Sequence, residues 1–303
     1  MSRKISTIAL AFIALLSVSC KQEAPIEPEH LVFIGLDGMS SISFENGEMP
    51  FLKSLMEQGS YTVKKRSVLP SSSAVNWASM FMGSAPELHG YTDWGSQVPE
   101  LPSRVILKNG IFPTFFQLYR DKYPEAEMGA FYEWEGIKYL IDTLAFSVYA
   151  KPDFGEPCDR VSLTKVACDY LTEKQPALAT IIFDCPDHQG HADGWCSEPY
   201  MQTLTHLDSC IQQIYKTVEA AGYLEKTIFV ITADHGGIDK DHGGKTMDEM
   251  ETPIIILGPG IKKNCCFDEI SMMQYDVAAT MAAFYGIEQP QVWTGRPVTA
   301  IFE

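Results

Sequence analysis

The stretch LVFIGLDG, residues 31–38, decides the fold. Its first six residues are apolar or glycine with no polar alternation, as expected of a strand buried on both faces of a sheet. The run ends in Asp37-Gly38, an acidic side chain and a turn residue where the chain must leave the core. Two further apolar runs end in the same way: ALATIIF (177–183) leads into DCPDHQGH, and TIFVIT (227–232) leads into ADHGG. Residues 61–69, 127–134, 146–150 and 253–257 read as further strands, and helical spacing is present over 49–58, 74–82, 111–123, 198–221 and 271–285. Strands alternating with helices predict an α/β fold, a mostly parallel central sheet sandwiched between helices. Ligands of such sheets bind outside the carboxyl ends of the strands. Asp37, Asp187 and Asp234 are therefore expected along one edge.

Those aspartates have company. Asp37, Asp187, His191, Asp234, His235 and His242 form a mixed oxygen and nitrogen donor set, which suits zinc, with manganese as the second expectation. Two divalent metal ions about 4 Å apart clamp the attacking and leaving oxygens of an in-line displacement at phosphorus or sulfur. Taken singly, an Asp or His after a strand is more often a loop cap than a ligand, so the expectation rests on the set. Ser71, Ser72 and Ser73 follow Pro70 at the start of an expected helix, where a hydroxyl nucleophile would meet an anion-favouring helix terminus; chemistry alone leaves the three open. His188 reads as a bystander and His89 as a turn residue. Asp184, Asp193, Asp239 and Asp241 read as solvated loop residues or as groups orienting the imidazoles. Phe115, Phe116, Tyr119, Tyr132 and Trp134 read as core, and Lys245 as either a phosphate contact or a surface lysine.

In this order, GLDG (35–38), PSSSAVNWASMFMGSAPELHG (70–90), DHQGH (187–191), ADHGG (233–237) and DHGG (241–244) resemble the alkaline phosphatase superfamily, and within it the type I phosphodiesterase/nucleotide pyrophosphatase branch. The likeness runs from residue 31 to 286 and includes MMQYDVAATMAAFYG (272–286). It implies one metal on Asp37, Asp234 and His235 and another on Asp187, His191 and His242. It also implies Ser73, the third residue after the proline, as the nucleophile forming a covalent phosphoseryl-type intermediate. The expected substrate is a small phosphate ester, most readily a diester. Where the branch usually places an asparagine shortly after its His-Gly pair, this chain has Trp94, so Asp93, Trp94 and Lys245 are the candidate substrate contacts. Residues 73–77 lack the proline and arginine of the sulfatase segment, which argues against a sulfatase. A phosphomonoesterase or phosphotransferase on the same scaffold is the alternative, and a catalytically silent ligand-binding lipoprotein is the reading from another class.

The N-terminus addresses location. Arg3 and Lys4 precede an apolar run over 5–18, then Ser17-Val18-Ser19-Cys20, the pattern of a lipoprotein signal peptide (1–20) with Cys20 as the lipidated residue. Residues 21–30 read as a tether and 31–303 as a single metallohydrolase domain. The expectation is an exported protein on a membrane, facing the periplasm or the cell surface. The formal charge of −16 argues against nucleic-acid polymers, which need a basic surface to displace counterions. A small anionic substrate then requires a site that brings its own positive charge. Of eight cysteines, seven remain beside Cys20. Cys168 and Cys185 read as buried apolar residues, Cys265-Cys266 as a loop pair, and Cys158 and Cys196 as open to disulfide formation.

Overall fold

The computed structural model describes residues 25–152 and 158–303; the signal segment and Cys20 lie outside them. Eight strands form one sheet: β1 (His30–Leu36), β2 (Ser60–Arg66), β3 (Met128–Tyr132), β4 (Val148–Ala150), β5 (Leu178–Phe183), β6 (Thr227–Thr232), β7 (Glu251–Leu257) and β8 (Cys265–Cys266). Their order is β4-β3-β5-β1-β6-β7-β2-β8. Every pairing is parallel except those of β7, which runs against both β6 and β2. Because β2 reverses β7, it points the same way as β1, β5 and β6, and its carboxyl end reaches the same edge.

The helices are α1 (Ser41–Asn46), α2 (Pro50–Gln58), α3 (Ser73–Met82), α4 (Pro86–His89) and α5 (Phe115–Lys122). They continue with α6 (Arg160–Lys174), α7 (Cys185–Asp193), α8 (Glu198–Ala220), α9 (Met247–Met250) and α10 (Asp276–Phe284). They cover both faces. On β1, Leu31 and Phe33 join a core with α3, α5 and α10, whereas Val32, Ile34 and Leu36 join a second core with α2, α6 and α8. Side chains alternate across a strand, so an uninterrupted apolar run is what a doubly covered strand requires.

Two differences from the sequence expectations bear on the site. DHQGH, to which the sequence reading gave no secondary structure, lies in the middle of α7: Pro186 sits in its first turn, so Asp187 and His191 lie one turn apart on one helix face. Cys185 opens that helix instead of closing β5. Helix α5 starts at Phe115 rather than 111, because Pro113 precedes Thr114, whose side chain caps the Gln117 N–H. Of the expected tether, the described part lies against the domain: Glu27 N–H bonds Phe284 O at 2.7 Å, and Ile26 packs on the first core. No helix among the described residues is long and apolar enough to cross a membrane.

Candidate active site

Four strand ends build the site. Asp37 follows β1, Asp234 and His235 follow β6, α7 after β5 carries Asp187 and His191, and the segment after β2 leads to Ser73 at the first turn of α3. Gly38 makes the first junction possible. Its backbone is left-handed, with φ +72°, and a side-chain carbon there would stand 2.8 Å from the Asp187 Cα. Its N–H donates to Asp234 Oδ1 at 3.1 Å, while its carbonyl accepts from Trp195 Nε1 and the Tyr200 hydroxyl at 2.8 and 2.9 Å. Asn76 clamps the approach to α3: its amide accepts from the Val68 N–H and donates to the carbonyls of Pro70 and Ser72.

Asp37, Asp234 and His235 bring one ligand atom each within 4.8 Å of one another, and so do Asp187, His235 and His242. The first group is the trio expected for one metal. In the second, His235 stands where His191 was expected; His191 is half-exposed, with Nε2 3.5 Å from the other Asp187 oxygen. All three imidazoles present Nδ1 to a backbone carbonyl, His235 to Gly236 at 2.7 Å, His191 to Lys240 at 2.9 Å and His242 to Ser71 at 3.1 Å. A carbonyl only accepts, so each Nδ1 carries a proton and each Nε2 is turned toward the carboxylates. Carbonyls, not the neighbouring aspartates, orient the rings. Ser73 Oγ is 3.1 Å from His235 Nε2 and 3.4 Å from Asp37 Oδ1.

The donor set fits divalent cations. Asp187 Oδ1 and Asp234 Oδ2 are buried with no hydrogen-bond partner, an arrangement that is costly unless a cation faces them. Burial, then the Asp37 charge, pushes the Asp187 carboxyl up to about 6 and drives Asp184 and Asp234 well above the usual range. Burial opposes charge on His235, but Asp234, Asp37 and Asp187 outweigh it and push that imidazole up to about 10. His242 is held down to about 4 by burial and by His235. A cluster that must take up protons to lower its own repulsion is one that bound metal ions would relieve.

The site opens into a cleft of about 590 Å³ lined by Ser73, Asp93, Trp94, Trp134, Asp184 and His188 among others. No lysine or arginine is among its described lining residues. Of the candidate substrate contacts, Asp93 and Trp94 reach it, whereas Lys245 is exposed and does not line it. His89, read as a turn residue, is instead the buried last residue of α4, with Nε2 2.9 Å from Ser79 Oγ and Nδ1 accepting the Tyr91 N–H at 3.1 Å.

The model of the type I phosphodiesterase/nucleotide pyrophosphatase family matches residues 31–255. The chain belongs to that family. Mouse ectonucleotide pyrophosphatase/phosphodiesterase family member 1 is 24% identical over 228 residues, 71% of this chain and 25% of the mouse protein. GPI ethanolamine phosphate transferase 2 of Aspergillus oryzae is 30% identical over 118 residues, 34% of this chain and 14% of that protein. The matches therefore span a quarter or less of these two relatives. Among solved structures, murine ectonucleotide pyrophosphatase/phosphodiesterase 5 in complex with AMP superposes with a TM-score of 0.73 at 13% identity, over 91% of this chain and 100% of that one. A 2-O GAG sulfatase gives 0.71 at 16%, over 91% and 74%. At these identities the structures show a shared fold.

Within this phosphodiesterase-family frame, two tryptophans were not legible as site residues. Trp77, one turn beyond Ser73, is fully buried and donates its indole N–H to Asp37 Oδ2 at 2.9 Å. Its ring crosses Gly35, where a Cβ would come within 2.4 Å of it, so the first glycine of GLDG makes room for the residue that orients the aspartate. The i, i+4 spacing from Ser73 was the available signal. Trp134, read as core, is only partly buried and lines the cleft together with Trp94.

Proposed function

We propose that this protein is a metal-dependent phosphodiesterase that acts on small phosphate diesters through Ser73. The observation that carries the reading is the contact of Ser73 Oγ with both His235 Nε2 and Asp37 Oδ1, beside two buried carboxylate oxygens without partners. Asp37, Asp234 and His235 would hold one ion and Asp187, His191 and His242 the other. When bound, divalent ions at such a site supply positive charge and lower the pKa of a hydroxyl or water.

The Ser73 oxygen, having given up its proton, attacks phosphorus and displaces one alkoxide, which leaves as an alcohol. The chain then carries a phosphoseryl diester. Water attacks the same phosphorus, Ser73 Oγ departs and is reprotonated, and a phosphomonoester is released. The first turn of α3 adds backbone N–H groups and a favourable dipole for the anion. Trp94 and Trp134 both line the cleft and would pack against the substituent of the diester. With no lysine or arginine among the described lining residues, ions held by the carboxylates and imidazoles would supply the attraction for the phosphoryl group.

A second reading is transfer of the phosphoryl group to an alcohol in place of water, and the likeness to an ethanolamine phosphate transferase favours keeping it. A lipid anchor at Cys20 would hold the catalytic domain at a membrane surface. The deciding experiment compares hydrolysis of bis(p-nitrophenyl) phosphate and p-nitrophenyl phosphate by the zinc-loaded protein, with and without added alcohol. Diester preference with water as acceptor supports the proposal. Monoester preference, or alkyl phosphate as the main product, moves the assignment to phosphatase or transferase.

A further inference from the structure

Beside Asp184, at the start of the helix that carries Asp187, a second group of reactive side chains converges, separate from the candidate ligands. Glu133 follows β3, Cys158 precedes α6, and Cys185 is the first residue of α7. One ligand-type atom of each lies within 4.8 Å of the others. Cys185 Sγ is 3.5 and 3.3 Å from the two Glu133 carboxylate oxygens and 3.1 Å from the Cys158 carbonyl. Cys158 Sγ is 4.0 Å from Asp184 Oδ2, and the Arg160 guanidinium is 3.9 Å from Cys185 Sγ. Cys185 and Glu133 are buried and Cys158 is half-buried, so the pair has one reachable thiol and one sheltered thiol.

Two thiols and a carboxylate suit either a soft metal ion or a disulfide. The surroundings favour the second. Asp187 and Asp234 each have a buried oxygen without a partner, but Glu133 is already engaged by the Asp184 N–H at 2.7 Å and by the Cys185 thiol. The Arg160 guanidinium also stands where a further cation would be repelled. We propose that Cys158 and Cys185, both free thiols here, are a disulfide-forming pair that ties the start of α6 to the first turn of α7.

The reaction is thiol–disulfide exchange with an external disulfide, either a small molecule or an oxidoreductase. The half-buried Cys158 thiolate attacks that disulfide, forms a mixed disulfide and releases one external thiol. Cys185 gives its proton to Glu133, attacks the Cys158 sulfur and displaces the second external thiol. Two S–H groups and one external S–S bond become one internal S–S bond and two external thiols, with two electrons passing to the external disulfide. The bond joins residues 27 apart in sequence, and α7 is the helix that carries Asp187 and His191. Oxidation thereby restrains the helix at the site without touching the reacting atoms.

The test treats the folded, full-length chain with oxidised glutathione, alkylates the remaining thiols, and digests without reduction. The expected product is a peptide pair linked through Cys158 and Cys185, two hydrogens lighter than its reduced components and absent in Cys158→Ser. Glu133→Gln should slow its formation about tenfold, while leaving the reduced fold intact by circular dichroism. Amide exchange over residues 185–193 should slow on oxidation in the parent chain and remain unchanged in Cys158→Ser. Both thiols alkylated after oxidation, or Cys185 linked elsewhere, overturns the pairing. Loss of a zinc equivalent in Cys158→Ser overturns it in favour of a metal site. Linkage without slower exchange in α7 overturns the proposed restraint.

Discussion

Replacing Trp77 by phenylalanine removes one N–H and leaves most of an aromatic ring. The N–H is the 2.9 Å donor to Asp37 Oδ2, and Asp37 is itself buried. Losing a hydrogen bond to a buried charged group costs about 2 kcal/mol, and the void left by the smaller ring adds about 1 kcal/mol. Gly35→Ala perturbs the same contact from the other side. Its new carbon would stand 2.4 Å from Trp77 Cη2 and 3.0 Å from Cζ3, an overpacking worth about 1–3 kcal/mol. Those two ring atoms do not exist in the phenylalanine variant, so there the added methyl enters the void. The double variant should therefore be less destabilised than the sum of the singles by about 2 kcal/mol. Denaturant unfolding of the metal-free domain lacking residues 1–20 measures all four corners, provided the m-values agree. Zinc affinity of Trp77→Phe should fall about 10–100-fold, as when the outer partner of a ligand is lost. Additive single effects, or unchanged zinc affinity, would refute the role given to the Gly35–Trp77–Asp37 contact.

Three other outcomes follow from the site. The Asp187 carboxyl is raised from 3.8 to about 6, so in the metal-free protein it stabilises the fold fully below about pH 4, and that contribution is lost as pH rises through 6. The stability of the parent relative to Asp187→Asn should thus fall by about 2 kcal/mol between pH 4 and 7, and a flat or rising difference contradicts this. The proposed assignment gives His235 to one ion and His191 to the other, so His235→Ala and His191→Ala should each lose one zinc equivalent by elemental analysis after dialysis; loss of both in His235→Ala would instead make that imidazole part of both donor groups. Trp134→Ala should raise KM for an aromatic diester about tenfold with kcat little changed, since it lines the cleft and is neither the nucleophile nor a candidate ligand; an equal loss in kcat argues against that.

The strands and the aspartates after them were legible because apolar runs and their polar ends are local features of the chain. β1, β5 and β6 lie next to one another with Asp37, Asp187 and Asp234 at one edge. The direction of β7 was not legible: a buried apolar run reads the same parallel or antiparallel, and only pairing shows that it reverses. The helical state of DHQGH was obscured by Gly190 and two histidines, all weak helix formers, although Pro186 in the first turn was a usable sign. Trp77 and the Glu133–Cys158–Cys185 group depend on segments far apart in sequence brought together by the sheet, and no local pattern encodes such contacts. Lys65 is the plainest example. It stands between Lys64 and Arg66 with nothing local to set it apart, yet it is wholly buried, donates to the Ala233 carbonyl and to Gln274, and is held down to about 7 by burial.

The central claim is that Ser73 carries the phosphoryl group while the carboxylate and imidazole cluster holds the metals. Ser73→Ala, loaded with zinc and assayed on bis(p-nitrophenyl) phosphate with metal content measured on the same sample, tests it most directly. Two retained zinc equivalents with turnover lowered at least about a thousandfold is the predicted result. Full metal content with undiminished turnover would contradict the account and leave the cluster without its assigned nucleophile.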